Sequence, residues 1–218
     1  MTSSIKSIIN ENVLDKTVLV RADLNIPMSN GNISDQSRVE RVIPTINFLK
    51  SSGAKIVICS HLGRPNGKYN KNYTLRPIVE ILSNILETNV RFSNSCLGQE
   101  VLEIKTSLKA GEILLLENVR FHEEETNNNL SFAKKLSEGC DLFVNDAFSC
   151  SHRAHSSLHA ITNFLPSYSG KLMDEEIKAL TSVLSSPIKP VAALVGGAKI
   201  STKINIIEYL ITKMDYLI

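Results

Sequence analysis

Arg38, Arg64, Arg120 and Arg153 stand in polar segments that open a helix pattern or follow an apolar run. Polar residues gather in the same turns. Asp23 and Asn25 lie in RADLNIP, His61 and Gly63 in SHLGRP, Asn118 and His122 in ENVRFHEEE, and Asn145 and Asp146 precede His152 in SHRAHSS. A guanidinium offers planar, bidentate donors that match phosphate and carboxylate groups. One such arginine is as well read as a solvated surface charge. Several at strand-end turns point to a pocket for a small, multiply anionic molecule, because open α/β sheets bind ligands outside the carboxyl ends of their strands.

A second cluster, VGGAKISTK, places Gly196 and Gly197 between an apolar run and a helix pattern. Glycines there allow close backbone approach to phosphates. Lys199 and Lys203 share a face if one helix spans both, although a plain tight turn fits GGAK equally well. Walker A, G-x-G-x-x-G and G-x-S-x-G patterns are absent, which removes support for a P-loop, an ordinary dinucleotide site or a hydrolase elbow. Cys150, His152, His155 and His159 have a spacing that could offer zinc ligands. No H-E-x-x-H accompanies them, so packing or capping histidines are the better reading and no metal site is expected. Glu123, Glu124 and Glu125 read as a solvated charge run.

These residues need a scaffold, and the punctuation supplies one. Strands are expected at 18–22, 56–60, near 89–92, at 113–116 and at 142–144. Helices are expected at 37–52, opening on a Ser37/Glu40 capping box, at 75–87 with Thr74 as N-cap, at 99–108, at 130–137 and from His155 to about Asn163. Strands alternating with helices predict an α/β fold with a doubly wound parallel sheet, and continuous apolar runs mark strands covered on both faces. The segment 166–170 breaks the pattern, an amphipathic helix follows at 172–184, and a second breaker covers 185–190. A fresh unit begins with a strand at 191–195, a helix near 201–212 and the start of a strand at 216–218, which together bury little.

Composition narrows the class. With 43% hydrophobic and 21% charged residues the chain is globular material. A net charge of +2 without a dense basic run gives no support for nucleic acid or a membrane surface as partner. Apolar stretches stay far below the ~18 residues of a bilayer span, and the N-terminus lacks an apolar signal core. The four cysteines form no C-x-x-C pair, which fits reduced thiols in a cytoplasmic protein. Length divided by ~150 residues per domain gives about one and a half domains.

Six segments, VRADLNIP, SHLGRP, LLLENVRFHEEE, NDAFSCSHRAHSS, KLMDEE and VGGAKISTK, resemble in order the motifs of phosphoglycerate kinase. The resemblance covers residues 13–218. It implies two Rossmann-like domains: a phosphoglycerate-binding domain over 1–168, an interdomain hinge helix over 169–186, and the start of a nucleotide-binding domain, incomplete here, over 187–218. The implied reaction is glycolytic phosphoryl transfer between 1,3-bisphosphoglycerate with MgADP and 3-phosphoglycerate with MgATP, in a monomeric enzyme.

The resemblance further implies that Asp23 and Asn25 bind the glycerate end, and that His61, Arg64, Arg120 and Arg153 bind its phosphate and carboxylate. Leu24, Leu62 and Gly63 count with them as substrate-binding. Arg38 and Lys203 are the implied catalytic pair around the moving phosphoryl group, acting when the hinge closes. Lys199, Gly196 and Gly197 join Lys203 at the nucleotide. Ser149 stands where the family usually has glycine, with only a local turn expected to change. The remaining nucleotide-site motifs of the family are not among these 218 residues. The expectation is therefore weak phosphoglycerate binding without unaided turnover. The alternative is a non-catalytic anion-binding remnant, or a split half that needs a complementing chain.

Overall fold

The computed structural model describes residues 5–29, 32–33, 35–185, 187–197 and 203–218. Two compact units partition the chain, Met1–Asp174 and Glu175–Ile218. In chain order the first unit holds β1 (Thr17–Ala22), β2 (Met28–Ser29), β3 (Asn32–Ile33), α1 (Ser37–Ser51), β4 (Lys55–Cys59), α2 (Ile78–Leu86), β5 (Val90–Phe92), α3 (Gln99–Ser107) and β6 (Ile113–Leu115). Then come α4 (Glu123–Thr126), α5 (Leu130–Ser137), β7 (Leu142–Asp146) and β8 (Ser167–Ser169), and α6 (Lys171–Ser185) begins in this unit.

Six strands form one parallel sheet in the order β5-β6-β4-β1-β7-β8. From β1 the chain moves outward to β4 on one side, and from β7 to β8 on the other. The switch between these directions lies at β1 and β7, where a doubly wound sheet opens its ligand crevice. Period-two alternation builds the two faces. Val18, Val20 and Ala22 of β1 pack with Val42, Ile46 and Leu49 of α1 and Leu82 and Leu86 of α2. Leu19 packs on the opposite face with Val57, Leu114, Phe143 and the α5 residues Phe132 and Leu136. Both faces are covered, which is why the strands read as unbroken apolar runs.

Element ends depart from expectation where a side chain captures a backbone donor. Helix α1 has Gln36 as N-cap, and Asp35 rather than Ser37 supplies the capping carboxylate, accepting from Ser37 N at 2.8 Å. Helix α2 begins three residues late. The buried Glu117 carboxylate takes Leu75 N at 2.9 Å and the Thr74 hydroxyl at 2.6 Å, and Thr74 Oγ1 receives only Arg76 N at 3.3 Å, ahead of the helix. No α-helix follows His155: Ser156 N donates to Glu125 O and Ser157 N to the Glu125 carboxylate, leaving a single 3-10 turn at Ala160–Asn163. The expected break at 166–170 contains β8, a polar edge strand whose flanking Pro166 and Gly170 resemble loop punctuation.

The second unit holds β9 (Ala192–Ala193), α7 (Ile204–Ile211) and β10 (Tyr216–Leu217), with β9 and β10 paired in parallel. Strand β9 is shorter than the expected 191–195 because it pairs with only two residues. Helix α7 buries no residue, and Ile188 and Leu194 are exposed. Asp215 ties this unit together, accepting from Val191 N at 2.8 Å and from Lys189 Nζ at 2.9 Å. Ser186, at the end of the expected hinge segment, and Ser201, at the start of the expected last helix, lie outside the described residues. No helix among the described residues is long and apolar enough to cross a membrane. All four cysteines are free, and burial pushes the Cys59 thiol up to about 12.

Candidate functional site

Turns after β1, β4, β6 and β7 enclose a cavity of about 230 Å³ at the carboxyl end of the sheet. Its lining contains Asp23, Asn25, Arg38, His61, Gly63, Arg64, Arg120 and Arg153, joined by Ser149 and Cys150. Four guanidinium groups therefore face one carboxylate. Asp23 accepts from Arg38 Nη1 at 2.8 Å and, through the same oxygen, from the Ser149 hydroxyl. Ser149 thus does more than alter a turn: it reaches the pocket carboxylate. Arg64 and Arg153 extend into solvent, while Arg120 is buried and donates to Gly63 O at 2.9 Å. Burial and the neighbouring Arg21 and Arg153 charges lower the Arg120 pKa. Its Nε is buried without a hydrogen-bond partner among the described residues.

Polar braces hold the turns. Asn25 Oδ1 accepts from Gly63 N at 2.8 Å, and Asn118 donates to Leu62 O and Tyr73 O while accepting from Arg120 N. Gly63 has φ of +62°, and a Cβ there would collide with the Tyr73 ring, so no other residue fits this turn without strain. Asn118 is a buried brace, outside the cavity lining.

Several sequence candidates lie elsewhere. The Leu24 and Leu62 side chains belong to the hydrophobic core, and what they add at this end is backbone: Leu24 N donates to Ser60 Oγ and Leu62 O receives Asn118. His122 packs on Phe132, with ring centroids 5.3 Å apart, and burial lowers its pKa. The zinc-like set disperses. His159 pairs with Asn128, His155 lies 3.8 Å from Glu125, and Cys150 sits with Asp23 and His61. Glu125 leaves the solvated run altogether: it is 0% exposed. Asn145 donates to Ser151 Oγ at 3.0 Å.

Asp146 is structural. Its carboxylate is 0% exposed and accepts from Met173 N at 3.0 Å, fastening the first turn of α6. Burial pushes its carboxyl up to about 6, against hydrogen bonds from Thr45, Met173 and Leu172. A carboxyl whose pKa is raised on folding binds its proton more tightly in the native state. Stability therefore falls as pH rises from the ordinary carboxylate value through the folded one. The expected loss from this group is about 2 kcal/mol between pH 4 and 6.5. Asp146→Asn should flatten that slope in urea unfolding at pH 4.5 and 7; equal slopes in both proteins would contradict the assignment.

Sequence reading missed Arg21 and Ser157, and the reach of Ser149 to Asp23. Arg21 is 0% exposed and bonds His61 Nδ1 at 3.1 Å and Ser157 Oγ at 2.8 Å. The available signal was a charged residue inside the otherwise apolar VLVRA run. In the second unit, Gly196 is open to solvent space, and Gly197, with φ of +122°, carries the Lys203 ammonium close over its Cα. Lys199 lies outside the described residues.

The family model for phosphoglycerate kinase matches residues 8–218. The chain belongs to the phosphoglycerate kinase family. It is 48% identical over 204 residues to phosphoglycerate kinase of Wolbachia pipientis subsp. Culex pipiens, covering 94% of this chain and 51% of that protein. With the Bartonella bacilliformis phosphoglycerate kinase it shares 49% identity over 211 residues, covering 96% and 53%. Solved phosphoglycerate kinases from Coxiella burnetii and Pyrococcus horikoshii superpose with TM-scores of 0.86 and 0.87 at 39% and 34% identity. Each match covers 98% of this chain and 54% of the solved one. The chain spans about half the length of the phosphoglycerate kinases it matches, over an α/β fold with a mostly parallel sheet.

Proposed function

We propose that the arginine-lined cavity binds 3-phosphoglycerate and its acyl phosphate, as the acceptor side of phosphoglycerate kinase chemistry. The carrying observation is four guanidiniums around a single carboxylate in a chain of this family. Arg64, Arg120 and Arg153, with His61, take the phosphate and carboxylate; Asp23 and Asn25 take the glycerate end. The Arg38–Asp23 pair opens as the anion arrives, because a dianion competes well for a half-exposed guanidinium. The reaction needs little base catalysis, since the attacking carboxylate is already ionised. Positioning and charge neutralisation on the transferred phosphoryl oxygens carry it.

For that transfer the proposed catalytic pair is Arg38 and Lys203. MgATP and MgADP are the nucleotide substrates. In the second unit the Gly196-Gly197 turn with the Lys203 ammonium above it suits a phosphate, the lysine acting as a point charge and the glycines admitting close approach. Lys199 is proposed beside it. The chain acts as a cytoplasmic, monomeric enzyme only with the remainder of the nucleotide site found in its relatives. The 218-residue polypeptide should therefore give a calorimetric titration with 3-phosphoglycerate and no steady-state turnover with MgATP. The second reading, an anion-binding module without catalysis, gains support if a complementing C-terminal half restores no turnover. Absence of any 3-phosphoglycerate binding would reject the assignment of the cavity.

A further inference from the structure

Beneath the cavity runs a chain of buried polar groups that the site residues do not account for. Arg21 and Glu125 are each 0% exposed, as is Ser157 between them. Arg21 projects from β1 on the same face as Leu19, opposite Val18 and Val20. Its Nε donates to Ser157 Oγ at 2.8 Å, its Nη1 donates to Ala22 O, and its Nη2 meets His61 Nδ1 at 3.1 Å. Ser157 Oγ in turn donates to Glu125 Oε1 at 2.6 Å, and Ser157 N donates to Oε2 at 2.9 Å. Every direction is settled by chemistry: a guanidinium only donates and a carboxylate only accepts. The hydroxyl therefore accepts from Arg21 and donates to Glu125. One hydroxyl separates the buried positive charge from its buried counter-charge.

We propose that Arg21, held by the Ser157–Glu125 pair, is a positioning residue that fixes His61 as a neutral imidazole with its proton on Nε2. Nδ1 must accept from Arg21, so the ring has one remaining proton position, and His61 serves the cavity as a hydrogen-bond donor. The groups facing His61 are the Arg21, Arg120 and Arg153 cations, His155, and Asp23 and Cys150. Burial and then Arg21 oppose a second proton on the ring; the Asp23 carboxylate is outnumbered. His61 therefore supplies one donor to an anion across pH 5–8. The same tautomer makes the Asp23–His61–Cys150 trio, whose ligand atoms lie within 4.8 Å of one another, a poor cation site, because a protonated Nε2 has no lone pair to give.

The inference rests on the phosphoglycerate reading only for the choice of probe. Its test is the long-range proton–nitrogen spectrum of the histidines in the 218-residue protein, with His61 assigned by loss of its signals in His61→Gln. The expected result is an Nε2-protonated, non-titrating ring from pH 5 to 8. A ring that titrates there, or carries its proton on Nδ1, overturns the proposal. Arg21→Met should release Nδ1, put the His61 ring into exchange between its two tautomers and weaken 3-phosphoglycerate binding, while burial, Arg120 and Arg153 still oppose a second proton. Where that variant does not fold, Ser157→Ala keeps both charges. It should put His61 into exchange between tautomers and weaken binding by the fraction of rings in the other tautomer, about two-fold at equal populations, with Ser157→Thr restoring both. A fixed Nε2 tautomer in a protein that binds no 3-phosphoglycerate would reject the substrate and leave the positioning role standing.

Discussion

Glu125→Ala is expected to destabilise the first unit by about 3–5 kcal/mol, the cost of breaking one side of a buried charge arrangement. The carboxylate removed is 0% exposed and accepts from Ser157 N and Ser157 Oγ, with His155 Nδ1 at 3.8 Å. Its loss leaves the two Ser157 donors unsatisfied and the Arg21 charge uncompensated among buried groups. With a urea m-value of about 2 kcal/mol/M, the midpoint should drop by roughly 1.5–2.5 M. Glu124→Ala is the internal control. Glu124 is exposed and lies one residue away in the same acidic run, so its change should stay within about 0.5 kcal/mol. Equal shifts for the two variants would show that Glu125 carries no special load.

The second large effect is on binding. Arg64 and Arg153 line the cavity, are exposed, and make no side-chain hydrogen bond or ion pair among the described residues. Nothing structural holds them, so their truncation tests the ligand and not the fold. Each alanine variant should lose about 1.5–3 kcal/mol of 3-phosphoglycerate binding, the range for hydrogen bonds to charged groups. That is a fall of roughly 10- to 150-fold in affinity, with an unchanged melting temperature. The double variant should lose less than the product if both arginines share one phosphate, since contacts to a common group couple. Raising salt should weaken the wild type more than either variant, because exposed charges are screened within a Debye length of ~8 Å. Calorimetric affinities that do not change would move the substrate away from this cavity.

Much of the fold was legible because local rules and tertiary demands agreed. The runs at 56–60 and 113–116 carry β-branched and leucine residues without polar interruption, and a strand covered on both faces needs just that. Helix α5 matched its expected bounds because Asn129 caps it, accepting from Phe132 N, and Gly139 takes the positive φ after its end. The two largest misses among the helices share one cause. Thr74 and the segment from His155 read locally as helix starts, yet the buried Glu117 and the Glu125 segment, distant in sequence, take up backbone donors there or hold the Thr74, Ser156 and Ser157 side chains. Local capping rules hold no information about a carboxylate that arrives from another strand-end turn.

By itself the sequence determined the doubly wound class, the turns that carry arginine, and the family, because periodicity, glycine positions and motif order are properties of neighbouring residues. The tertiary structure alone decided which polar residues face the cavity and which support it from beneath. Asp23 reaches it while Asp146 is drawn into fastening α6; Glu125 is buried while Glu124 stays in water; and Ser149 crosses from the β7 turn to the β1 turn to meet Asp23. The physical reason is that charge burial is set by what packs around a side chain. The six parallel strands bring those surroundings from segments more than a hundred residues apart, as with Arg21 and Ser157, 136 positions from one another.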